Sequence, residues 1–72
     1  MELDDVIVKV FNKDKRDFYR CCLIRDYELE SLESLLITNG GRFMYVGSEL
    51  HVTIDLRVWR KVWNSFIKFY RI

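Results

Sequence analysis

The sequence predicts an α+β domain in the order β-β-α-β-β-α, a four-stranded antiparallel sheet with two helices packed on one face. Three observations predict it. Two pairs of short runs rich in β-branched and aromatic residues are each joined by a compact polar or glycine-bearing loop, as in a hairpin. Two longer stretches carry apolar residues every three or four positions, the period of a helix with one buried side. The connections are short, so neighbouring elements must pack on one another. All 72 residues fit one domain, near the size where a single core is only just sufficient.

Residues 6–11 (VIVKVF) are rich in β-branched side chains and read as the first strand. The polar residues 12–17 (NKDKRD) form the loop, and residues 18–24 (FYRCCLI) the second strand. If Asn12 and Asp17 close that loop, Val10 faces Tyr19, Val8 faces Cys21 and Val6 faces Leu23 on the core side. On the other side Phe11 meets Phe18, Lys9 meets Arg20, and Ile7 meets Cys22.

Residues 26–39 read as the first helix, capped by Asp26 and ended by Gly40 in a left-handed conformation. Its stripe is Leu29, Leu32, Leu35 and Leu36, with Ile37 outside it. Residues 42–46 (RFMYV), Gly47-Ser48 and residues 49–54 (ELHVTI) give the strongest hairpin signal in the chain. The two-residue loop sets Tyr45 against Leu50 and Phe43 against Val52 on the core side. Met44 against His51 and Val46 against Glu49 then point outward.

Residues 55–72 (DLRVWRKVWNSFIKFYRI) make the second helix, with Asp55 as its N-cap. Trp59, Val62, Trp63, Phe66, Ile67 and Tyr70 form an apolar arc of roughly 180°, wider than the ~100° stripe one packing contact requires. The excess suggests a partner.

The net charge of +1 supplies no overall field for nucleic acid or an anionic membrane. Locally the charge is divided. Asp26, Glu28, Glu30 and Glu33 make the first helix acidic, whereas Arg57, Arg60, Lys61, Lys68 and Arg71 make the second basic. Those five bases are the candidate contacts of an alternative, nucleic-acid-binding or regulatory reading.

No catalytic, cofactor or metal site is expected. Cys21, Cys22 and His51 supply neither the count nor the spacing of a zinc site. Cys22 and His51 share the outward face in the expected register, but nothing marks an oriented base or an oxyanion site beside them. Gly40-Gly41 follows a helix and precedes a strand, the reverse of a phosphate-binding loop. Adjacent cysteines in a strand point to opposite faces, so a bond between them would be strained. Acids near the N-terminus and the lack of any apolar run of ~18 residues point to a reduced cytoplasmic setting and no membrane.

An antiparallel sheet with one solvated face should be polar there. Ile7, Phe11, Phe18, Cys22, Met44 and Val46 are expected on that face instead, which marks it as a partner or dimer interface. The expected function is therefore a small non-catalytic protein-binding module, a homodimer that occupies a surface of another protein. An inhibitor of a host enzyme carried by a phage or mobile element fits the size and the composition, which lacks Ala, Pro and Gln.

Overall fold

The structure, a computed structural model, describes residues 5–14 and 17–70, the last of these by its backbone alone. Strands β1 (Asp5–Asn12) and β2 (Phe18–Arg25) form the first hairpin. A 3-10 turn, Asp26–Glu28, leads into α1 (Leu29–Thr38). Strands β3 (Arg42–Val46) and β4 (Glu49–Ile54) form the second hairpin, and α2 (Leu56–Tyr70) follows. The order β-β-α-β-β-α and the α+β class are as expected.

The sheet is mixed, which corrects the expected all-antiparallel arrangement. Its strand order is β2-β1-β4-β3, and the central pair β1 and β4 runs parallel. The cause lies in α1, which runs back along the sheet before β3 begins and so delivers β3 parallel to β2. Each hairpin then reverses direction once, leaving β1 and β4 parallel. Burial explains why these two lie inside. Val6, Val8 and Val10 of β1 and Leu50, Val52 and Ile54 of β4 are all buried, whereas β2 and β3 expose most of their residues. A hydrogen bond of 3.0 Å from Lys13 N to Ile54 O continues the parallel seam past the strand ends.

The first hairpin contains a bulge. Phe11 lies opposite Phe18 as expected, but Val10 lies opposite Arg20, so Tyr19 is an extra residue on β2. Every later pair is displaced by one: Val8 faces Cys22 and Val6 faces Ile24. Side chains alternate along a strand, so the displacement exchanges the faces of Cys21, Cys22, Leu23 and Ile24.

Both helices cover the same face. Leu32 and Leu36 of α1 and Trp59, Val62 and Phe66 of α2 join the six buried strand residues and Ile24 in one core. The helix ends follow local chemistry. At the start of the 3-10 turn that leads into α1, the Glu28 carboxylate accepts a 2.6 Å hydrogen bond from Arg25 N, replacing the expected cap by Asp26. At its end Gly40 takes φ +76°, Gly40 N donates to Ile37 O and Gly41 N to Leu36 O, a Schellman motif. Asp55 caps α2 by accepting from Arg57 N at 2.8 Å.

Candidate binding surface

The open face of the sheet is built from alternate residues of four strands, and their pairing places them in three rows. Leu23, Ile7, Glu49 and Val46 form the first row, running from β2 to β3. Cys21, Lys9, His51 and Met44 form the second. Phe18, Phe11, Thr53 and Arg42 form the third. The β2 edge is apolar, the β3 edge is apolar except for Arg42, and Lys9, Glu49 and His51 put charge in the middle.

Of the six residues expected on this face, Ile7, Phe11, Phe18, Met44 and Val46 are there. Cys22 is not: it packs against the core, and Cys21 and Leu23 stand outward instead. The bulge at Tyr19 is the physical reason. The apolar exposure is large, with Leu23 55%, Phe18 55% and Met44 63% exposed. Phe11 holds Phe18 edge to face, with centroids 5.7 Å apart, and tilts against His51 at 5.5 Å. Phe11, Arg42, Phe43, Met44, His51 and Thr53 surround a shallow depression of about 520 Å³. Small Thr53 lies between Phe11 and Arg42, which accounts for the hollow.

At the centre, Glu49 Oε1 lies 3.2 Å from Lys9 Nζ and 3.0 Å from His51 Nε2. The hydrogen bond with His51, then that with Lys9, holds the Glu49 carboxyl below its ordinary value. Composition gave no sign of this cluster, although the β4 alternation that places Glu49 and His51 outward was legible. Lys9 enters the cluster through parallel pairing with β4. In its expected antiparallel position it was set only against Arg20.

Cys22 and His51 lie on opposite faces, so the thiolate–imidazole pair conceivable from sequence is not formed. Cys21 does share the face with His51, but β1 stands between them, a separation of two strand spacings or ~10 Å. Among the described residues no group of three His, Cys, Asp or Glu side chains could hold a metal ion. No described helix is long and apolar enough to cross a membrane.

The helical layer carries two further features. On α2, Arg57, Arg60, Lys61 and Lys68 are exposed; Arg71 lies outside the described residues, as does the side chain of Tyr70. Arg20 of β2 joins Arg60 in a groove walled by Tyr19, Trp59, Trp63 and Asn64, a feature the sequence did not indicate. The wide apolar arc of α2 is partly used: Trp59, Val62 and Phe66 are buried, and Trp63 and Ile67 are half-buried against the core. Phe69, 78% exposed and outside the expected arc, stands with Tyr27 at a second groove between the helices.

No protein-family model, curated protein or solved structure matches this chain.

Proposed function

We propose that this chain is a non-catalytic protein–protein interaction module and that the open sheet face is where it meets another polypeptide. One observation carries the reading: Ile7, Phe11, Phe18, Leu23, Met44 and Val46 crowd the face that the helices leave open. Solvated sheet faces are ordinarily polar, and large apolar patches on one usually mark an interaction site. Covering such a patch is favourable by about 25 cal/mol per Å² of apolar surface. The surface is also rigid, because four hydrogen-bonded strands hold it, so little ordering cost opposes association. An inhibitor that blocks a surface of an enzyme needs nothing further.

The test replaces two exposed side chains at opposite edges. Phe18→Asp with Met44→Asp should keep the circular dichroism spectrum and thermal transition of the folded domain. It should lose both self-association and capture of other proteins by the immobilised chain. A folded double variant that associates with polypeptides as the wild type does would overturn the reading.

A second reading, binding of nucleic acid by α2, is favoured by one observation, the approach of Arg20 to Arg60 beside Trp63. Bases on two elements flanking an aromatic ring suit a phosphate chain with stacked bases.

A further inference from the structure

We infer that the polypeptide covering the open sheet face is a second copy of this chain, stacked face to face about a two-fold axis that runs along the strands between β1 and β4. The inference rests on the binding-module reading and names the partner of the same surface.

The charge pattern selects the axis. Lys9 on β1 and Glu49 on β4 form their 3.2 Å ion pair across the central seam of the sheet, where this axis would pass. Rotation about it sets β1 of one copy over β4 of the other, running the same way. Lys9 of one copy comes over His51 of the other, one row from Glu49, and Ile7 comes over Glu49. The Lys9 and Glu49 head groups, which already meet across the seam, then lie head to tail with those of the second copy. An axis in the same plane but across the strands, through the row of Lys9, would instead stack β1 on β1 and bring Lys9 against Lys9. The axis along the strands avoids that contact of like charges.

The same rotation matches shape. The hollow of about 520 Å³ beside Thr53 lies on the β4 side of the face, in the row that carries Phe11 on β1. Phe11 of the second copy comes down over Thr53 and enters that hollow. Phe18 of the second copy comes over Arg42, where a guanidinium can lie on its ring. Leu23 comes over Val46, and Cys21 over Met44. The last two pairs set apolar side chains of one edge against apolar side chains of the other.

The area is sufficient for a modest dimer. Four strands at ~4.8 Å and about five paired residues at ~3.3 Å give a face of roughly 19 by 17 Å. With the relief of its side chains, the two faces together approach the ~1,000 Å² at which specific interfaces begin. Aligned sheets pack about 10 Å apart, which leaves room for the interleaved side chains.

Sedimentation equilibrium at micromolar concentration tests this with Lys9→Glu and Glu49→Lys as separate proteins. The wild type is expected to be dimeric and each variant alone monomeric, since each places like charges together at the axis. Mixed in equal amounts, the two variants should form a dimer containing one of each. In that dimer the paired carboxylates of one chain face the paired ammonium groups of the other. Met44→Asp, at an exposed edge where the fold is indifferent, should also give a monomer and serves if either charge variant fails to fold. A dimer that persists in Lys9→Glu, Glu49→Lys and Met44→Asp places the contact elsewhere and overturns the inference. So does a monomeric wild type, or a mixture of folded variants that stays monomeric. If the wild type is monomeric but Phe18→Asp with Met44→Asp still abolishes capture of other proteins, the binding module stands and only the second copy is removed.

Discussion

Tyr45 on β3 donates its phenolic hydrogen to the Glu33 carboxylate on α1, tying an edge strand to the helix that crosses above it. Burial first, and the carboxylate second, raise the Tyr45 pKa from 10.0 to about 12. The folded state therefore holds this proton more tightly than the unfolded chain. Its contribution to stability is complete below pH 10 and is lost as the pH rises through 12. Ultraviolet titration of phenolate should show one tyrosine ionising near pH 12, and Tyr45→Phe should remove that step. Stability of Tyr45→Phe should also fall less between pH 10 and 12 than that of the wild type. An unchanged titration curve would mean that the Tyr45–Glu33 bond does not persist in solution.

The two adjacent thiols should behave in opposite ways. Cys21 is exposed on the open face, and Cys22 packs against the core opposite Val8. A thiol reagent under native conditions should modify Cys21 well before Cys22. Cys21→Ser should leave stability within ~0.5 kcal/mol, the usual range for surface changes. Cys22→Ser replaces a half-buried sulfur packed against the core by a more polar hydroxyl and should cost more than Cys21→Ser. Denaturant unfolding of the two variants measures the contrast, and the reverse order would place the bulge elsewhere than at Tyr19.

That bulge also marks the limit of what the chain discloses about itself. The second hairpin was legible in full because Gly47, at φ +62°, fixes a two-residue loop and hence each pairing from Val46–Glu49 to Arg42–Thr53. In the first hairpin the expected closure is present, with Asn12 N donating to Asp17 O at 2.9 Å. Nothing in FYRCCLI, however, distinguishes an in-register strand from one with an extra residue, since either register puts apolar side chains on both faces. Strand order was equally hidden. Ladder hydrogen bonds are made by the backbone, and the β-branched runs of β1 and β4 suit parallel or antiparallel neighbours alike. Five of the six expected face residues survive because Ile7 and Phe11 depend only on β1, Met44 and Val46 on the second hairpin, and Phe18 on the pair before the bulge.

The two tryptophans of α2 should not be equivalent. Trp59 is 2% exposed and belongs to the core, whereas Trp63 is half-buried, stacked at 5.5 Å on Trp59 and at 5.2 Å on Phe66. Trp59→Ala should cost ~3–5 kcal/mol, comparable with the whole stability of so small a domain. Trp63→Ala removes a ring that water already reaches and should leave a folded protein with a lowered unfolding midpoint. Chemical denaturation followed by circular dichroism separates the two. Equal losses would mean that Trp63 is covered in solution, by the chain itself or by a partner.

The basic side of α2 should bind nucleic acid weakly. Arg57 already lies 3.6 Å from Asp55, and the helix packs against α1, whose Glu30 and Glu33 carry opposite charge. Arg60, Lys61 and Lys68, with Arg20 across the groove, leave at most four bases for phosphates among the described residues. Four contacts correspond to a slope of about −3.6 in log affinity against log salt for a duplex, so binding present at low salt should largely vanish at physiological salt. Single-stranded DNA could add stacking on Trp63, and it is therefore the more demanding probe. Mobility shifts with both forms, on the wild type and on Arg60→Glu with Lys61→Glu, give the measurement. Sub-micromolar binding at physiological salt, lost on that reversal, would promote the nucleic-acid reading over the protein-binding one. Weak, salt-sensitive binding of both forms would keep the proposed protein-binding role ahead of the nucleic-acid reading.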